Sequence, residues 1–288
     1  MIAPQILRRS SRTLLSSTFL VSSCQKSLDS SRLMSSSSSS SSTSVSVFLQ
    51  SLPNSDTFIG NDITGAIDNL MQADCVCFDV DSTVVDEEGI DVLADHLGLG
   101  EAVAALTKQA MEGGLPFQDA LAQRLDLLKP SKQSIEECLE AHPLRLTPGV
   151  AEFIGELHSQ NKHVYLVSGG FRIMIEPVAE MLNISVTDNI VANTILFDQD
   201  GQYAGFDPNE PTSRDMGKPK ALQRIQEAGG YKTMIMIGDG ATDAQAKPPA
   251  ASFIGFGGVA RREKVVQLSD WFVTDFGLLT KVVRAAAK

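Results

Sequence analysis

The chain has 288 residues, enough for one or two domains, and is 43% apolar and 20% charged, the composition of an ordinary globular protein with a sizeable core. Its 24 Lys and Arg against 35 Asp and Glu leave a net charge of −11, which argues against a function built on gripping nucleic-acid phosphates. No apolar run approaches the roughly 18 residues of a membrane-spanning helix.

The charge is unevenly spread. Residues 1–50 carry Arg8, Arg9, Arg12, Lys26 and Arg32 against Asp29 alone, a net of +4, so the remainder of the chain carries −15. Nineteen of these 50 residues are Ser, eight of them consecutive from Ser35 to Ser42. Such a segment buries too little apolar surface to offset its ordering entropy, so residues 1–53 are expected to be disordered. An Arg-rich, Ser-rich, nearly acid-free leader has the composition of an organellar transit peptide, plastid or mitochondrial. Outside it, Cys75, Cys77 and Cys138 are an odd number with no disulfide spacing. Cys75 and Cys77 are two apart and face one side of a strand, where buried thiols are expected.

From about residue 54 short apolar runs alternate with helical patterns. The first run is Cys75–Val80. Residues 101–112, 116–128 and 131–142 then read as helices, punctuated by Gly113-Gly114, Pro130-Ser131 and Pro143. They are too much chain for one crossover, and an inserted helical cap is expected over residues 91–145. Val150, Phe153, Ile154 and Leu157 recur at helical spacing after Thr147-Pro148. The second run is His163–Val167 and the third is Thr233–Ile237; each reads as a parallel strand buried on both faces. Between them, Ile195 to Tyr203 with Asp200-Gly201 at its centre reads as a β-hairpin. Together these β-α-β units predict an α/β core, a doubly wound and mostly parallel sheet formed by residues 54–90 and 146–288.

Chemistry gathers where those three strands end. Asp79 and Asp81 follow the first; two acids in one pocket imply either a bound metal or a divided nucleophile and acid/base role. Ser168-Gly169-Gly170 follows the second, a hydroxyl and small-residue N–H groups suited to an anion. Asp239 and Asp243 follow the third, and such all-oxygen clusters suit Mg²⁺ better than Zn²⁺. Lys218, between Gly217 and Pro219 at a helix start, offers a point charge to a phosphate.

Each signal alone is weak, and each after its own strand, in this order, is strong. Asp79-Val-Asp81-Ser-Thr83, Ser168, Lys218 and Gly238-Asp239-Gly-Ala-Thr-Asp243 resemble the pattern of the haloacid-dehalogenase-like phosphatases. Glu87-Glu88-Gly, Met111, Pro116-Phe117, Gln123-Arg124, Ser168-Gly-Gly-Phe-Arg172 and Tyr203-Ala-Gly-Phe narrow the resemblance to the phosphoserine phosphatase family, over about residues 65–280.

The resemblance implies a Mg²⁺-dependent hydrolysis of phosphoserine, the last step of serine biosynthesis, with a Rossmann-like core beneath the cap. Asp79 is the implied nucleophile and Asp81 the acid/base, with Mg²⁺ on Asp79, Asp81 and Asp239 and with Asp243 behind them. Ser168, Gly169, Gly170 and Lys218 are implied to hold the phosphoryl group. Glu88 is implied for the ammonium and Arg124 for the carboxylate, with Met111 and Phe117 as apolar walls. Thr242 and Arg262 are softer substrate candidates, Arg262 because Arg261 stands beside it. A plant-like leader makes plastid the expected destination, with mitochondrion as the alternative. The expected partner is the small-molecule substrate, with no nucleic acid and no membrane, and a homodimer is the protein assembly to test for. Two rival readings are a phosphatase for another small phosphomonoester and a phospho-acceptor module that signals through Asp79.

Overall fold

The computed structural model describes residues 59–111 and 116–286, except the side chains at 110 and 111. The expected leader over residues 1–53 lies outside this range. In chain order, α1 (Ile63–Gln72) is capped by the Asp62 carboxylate, which accepts from Gly65 N at 3.0 Å, and leads into β1 (Cys75–Phe78). Four helices follow: α2 (Gly89–His96), α3 (Gly100–Met111), α4 (Phe117–Leu128) and α5 (Lys132–Ala141). The chain then forms α6 (Val150–Ser159), β2 (His163–Phe171), α7 (Arg172–Met181), β3 (Ile190–Asn193), and a hairpin of β4 (Ile195–Phe197) and β5 (Tyr203–Phe206). A 3₁₀ turn (Pro211–Ser213) precedes α8 (Gly217–Gly229), β6 (Met234–Gly238), the short α9 (Ala241–Ala244), β7 (Ser252–Phe256), α10 (Glu263–Leu268), β8 (Trp271–Val273) and α11 (Phe276–Ala286).

Six strands form one parallel sheet in the order β3-β2-β1-β6-β7-β8, and β4 pairs with β5 antiparallel. Because β1 is central, the chain winds outward through β2 and β3 on one side and through β6, β7 and β8 on the other. That reversal places the carboxyl ends of β1, β2 and β6 side by side, where open α/β sheets hold ligands.

Burial on both faces follows the strand alternation. Val76, Phe78, Ile235 and Ile237 point to one face with α6 and α11; Cys75, Cys77, Met234 and Met236 point to the other with Ala221, Leu222 and Ile225 of α8. The first face is cemented by rings: Phe78 meets Phe153 edge-on at 5.9 Å, and Phe276 stacks on Phe153 and Phe256 at 5.8 and 4.3 Å. Cys75, Cys77 and Cys138 are free and buried, with the Cys75 and Cys77 sulfurs 3.9 Å apart.

The first apolar run extends to Val80 in the sequence, but the strand stops at Phe78. The Asp79 side chain accepts from its neighbour Val80 N at 2.8 Å, and Ser82 sits at φ 54°, so the chain turns away rather than running on. The second strand, in contrast, runs past Val167 to Phe171, carrying Ser168-Gly169-Gly170 within its irregular end instead of delivering it straight to a helix. β3, β7 and β8 are strands that the sequence reading did not single out.

The segment from α2 to α5 leaves and rejoins the core at one place. Val85 bridges Leu146, Thr147 N donates to Val84 O at 2.9 Å, and Arg145 pairs with Glu87 at 2.9 Å and with Asp86 at 3.4 Å.

Candidate active site

One cavity of about 710 Å³ opens over the carboxyl ends of β1, β2 and β6. Asp79, Asp81, Lys218, Asp239 and Arg262 line it from the core, and Glu88, Phe117 and Arg124 line it from the helices after β1. Gly169, Gly170 and Thr242 complete the predicted residues on its wall, while Ser168 and Asp243 are fully buried just behind it. The side chain of Met111 is outside the described residues.

Asp79 is held by one oxygen. Its Oδ1 accepts from Val80 N at 2.8 Å and meets Lys218 Nζ at 2.8 Å; Oδ2 has no hydrogen bond among the described residues. Lys218 is 7% exposed, the second residue of α8, and also reaches Asp243 Oδ1 at 2.5 Å. It is therefore an interior charge, not a solvated surface lysine. Burial alone would lower its pKa, but Asp243 and Asp79 outweigh that and hold it above the ordinary lysine value.

The Asp81 carboxylate is gripped at both oxygens, by Gly89 N at 2.7 Å and by the Ser168 hydroxyl at 3.2 Å. Burial, with the nearby charges of Glu88 and Asp79, raises its pKa to about 7. Asp239 is pushed up to about 8 by burial and by Asp79, against the opposing effect of Arg262. Asp243 is raised by burial and by Asp79, partly offset by Lys218 and by Gly240 N, which donates to its Oδ2 at 2.8 Å. These shifts share one origin, four carboxylates crowded into a space with little water.

A cation relieves such crowding. Asp79, Asp239 and Asp243 each offer an oxygen within 4.8 Å of the others, all three residues buried. A hard, oxygen-only donor set fits Mg²⁺. The Asp81 carboxylate is not part of this three-acid group, and both its oxygens are already hydrogen-bonded.

At the opposite wall, Glu88 Oε1 accepts from Ser82 Oγ at 2.7 Å and pairs with Arg262 Nη2 at 3.3 Å. Arg262 also donates from Nη1 to the Asp239 carbonyl at 3.1 Å and contacts its carboxylate, so it spans the acid cluster and the cap-side wall. Arg261 points elsewhere, over the Phe272 ring at 5.2 Å. Arg124 donates from Nε to Ala120 O at 3.2 Å. Its guanidinium pKa is lowered by burial, with Asp91 and Glu88 opposing. Phe117 packs on Gly169: a Cβ there would sit 3.3 Å from Phe117 Cζ.

Several lining residues escaped the sequence reading. Leu121 lies four after Phe117 and three before Arg124, and Thr107 lies four before Met111, so helical spacing did carry their signal. Thr212, Arg214, Asp215 and Met216, ahead of α8, form a wall with no motif to announce it.

A family model for haloacid dehalogenase-like hydrolases matches residues 76–246. The phosphoserine phosphatase of Bos taurus is 49% identical over 204 residues, 71% of this chain and 90% of its own length. The chloroplastic phosphoserine phosphatase of Arabidopsis thaliana is 51% identical over 212 residues, 73% of this chain and 72% of its own. A solved structure of a phospho-aspartyl intermediate analogue of phosphoserine phosphatase has a TM-score of 0.60 at 30% identity, over 70% of this chain and 93% of that one. DsGPDH of Dunaliella salina has a TM-score of 0.68 at 34% identity over 78% of this chain, but this chain covers only 38% of that protein. The chain belongs to the phosphoserine phosphatase family of the haloacid dehalogenase-like hydrolases.

Proposed function

We propose that this chain hydrolyses O-phosphoserine to serine and inorganic phosphate with Mg²⁺ bound, through a phosphoryl group carried on Asp79. The observation that carries the reading is one cavity with the Asp79–Lys218 pair at its floor and a Glu88/Arg124 pair of opposite charge on its wall. Phosphoserine has a phosphate, an ammonium and a carboxylate, and each has a partner of opposite charge here; Arg124 can take the carboxylate bidentately.

The Asp79 oxygen left without a hydrogen bond attacks phosphorus; an O–P bond to Asp79 forms as the bond to the serine oxygen breaks. Asp81, raised towards neutrality, gives that oxygen its proton. Water then attacks the aspartyl-phosphate, Asp81 takes its proton back, and phosphate leaves with Asp79 restored. Lys218 and the Ser168–Gly170 loop orient the phosphoryl oxygens. Asp79, Asp239 and the Asp81 backbone, with Asp243 close by, would hold Mg²⁺, which would supply the charge neutralisation that lets an anionic nucleophile and an anionic substrate meet.

Serine as the product supports a place at the end of a phosphorylated route of serine biosynthesis. The composition of residues 1–53 and the chloroplastic Arabidopsis relative support a plastid location.

Phosphate release from phosphoserine, measured with and without Mg²⁺ for wild type and Asp79→Asn, tests the proposal. Activity should need Mg²⁺ and vanish in Asp79→Asn; full turnover by the Asn variant would remove Asp79 as the nucleophile.

A further inference from the structure

Asn193 ends β3 with no exposure to solvent, in a stretch that contains no recognisable motif. Both ends of its amide are engaged: Nδ2 donates to the Gly169 carbonyl at 2.7 Å, and Oδ1 accepts from Thr212 Oγ1 at 3.1 Å. A carbonyl can only accept, so the amide nitrogen must face Gly169.

The Gly169 carbonyl and the Gly170 N–H belong to one planar peptide unit. Pinning the carbonyl therefore aims the N–H, which meets Ser168 Oγ at 2.8 Å; the Ser168 hydroxyl then donates to Asp81 Oδ2 at 3.2 Å. Every donor from Thr212 to Asp81 points the same way, so each bond polarises the next. The peptide between two glycines is also the one most free to turn. Stiffening Gly170 with a side chain is barred, because a Cβ would lie 2.6 Å from Asp81 Oδ2. The loop thus depends on a clamp from outside itself.

We infer that Asn193 is a positioning residue for proton transfer: by holding the Gly169–Gly170 peptide it orients Ser168 and, through it, the Asp81 carboxylate. The inference rests on the reading of Asp81 as the proton donor to the departing serine oxygen.

The test compares two substrates. Serine is a poor leaving group and needs the proton, whereas p-nitrophenolate leaves without one. Asn193→Asp keeps the acceptor for Thr212 but turns an oxygen towards the Gly169 carbonyl, and Thr212→Val removes the hydroxyl at almost constant volume. For both variants, kcat/KM for phosphoserine should fall about 10-fold or more, within the range that general acid catalysis supplies. For p-nitrophenyl phosphate it should fall at least about 3-fold less than for phosphoserine, because phosphoryl positioning by Ser168–Gly170 is shared by both substrates and only phosphoserine also needs the proton. Thr212→Ser should restore the ratio between the substrates. Equal losses on both substrates, or no loss in either variant, would overturn the inference. Should Asn193→Asp fail to fold, the Thr212 pair decides alone. Absence of phosphoserine turnover by wild type would overturn the substrate reading instead; the Asn193 inference is then judged on whichever alkyl phosphate wild type hydrolyses, against the aryl one.

Discussion

Gly170 packs against Asp81 so closely that a Cβ at position 170 would lie 2.6 Å from Asp81 Oδ2 and 3.1 Å from Ser168 Oγ. The contact is with a carboxylate already fixed at its other oxygen by Gly89 N, so Asp81 has nowhere cheap to go. Gly170→Ala should cut kcat for phosphoserine about 10- to 100-fold, since small misplacements of a proton donor cost that order. The same clash should lower its stability by about 1–3 kcal/mol, the usual cost of over-packing; steady-state kinetics alongside thermal unfolding check both.

Lys218 is the buried cation shared by Asp79 and Asp243. Removing one partner of such a group strands charge, at about 3–5 kcal/mol. Lys218→Met should be inactive and markedly less stable. Adding Asp243→Asn should return part of the stability and none of the activity, a non-additivity that denaturant titration of the four-variant cycle measures.

The acid cluster makes stability depend on pH in a definite direction. Asp81 and Asp239 have folded-state pKa values near 7 and 8, and Asp243 is raised as well, above an unfolded value of about 3.9. Between those limits the folded protein holds more protons than the unfolded chain, so its stability falls as pH rises. With chelator present, the thermal midpoint should be higher at pH 5.5 than at pH 8.5, and saturating Mg²⁺ should narrow the gap by replacing protons with metal charge. A midpoint rising with pH in chelator would contradict the crowding.

Arg124 tests the substrate's far end. Arg124→Ala should raise KM for phosphoserine at least about 10-fold, the loss of a charge-assisted pair. It should affect phosphoethanolamine, which lacks the carboxylate, far less. Equal effects on both would place the guanidinium elsewhere during turnover.

The candidate site residues Asp79, Ser168 and Asp239 were legible because each comes straight after a mostly apolar run of the sequence, and the order of strands does the rest. The short strands β3, β7 and β8 were not. Ile190–Asn193 and Trp271–Val273 each offer only three apolar residues in a row, too few for periodicity to separate from a loop. Asn193 was invisible for a further reason. A lone polar residue shows what it holds only when Gly169, 24 positions earlier, and Thr212, 19 later, are brought to it by the fold. The choice between Arg261 and Arg262 was likewise made by local geometry, at the first residues before α10, and neither spacing nor composition contains it.

The bridge between Val85 and Leu146 has an evolutionary and engineering consequence. Because the chain departs for α2–α5 and returns at adjoining backbone, everything from residue 86 to residue 145 is a cassette spliced into one loop of the sheet. Its ends need no new reach to accept a different insert. Glu88, Phe117 and Arg124 lie within this stretch, whereas Asp79, Lys218 and Asp239 lie outside it, so the cavity wall can be exchanged while its floor keeps its place in the sheet.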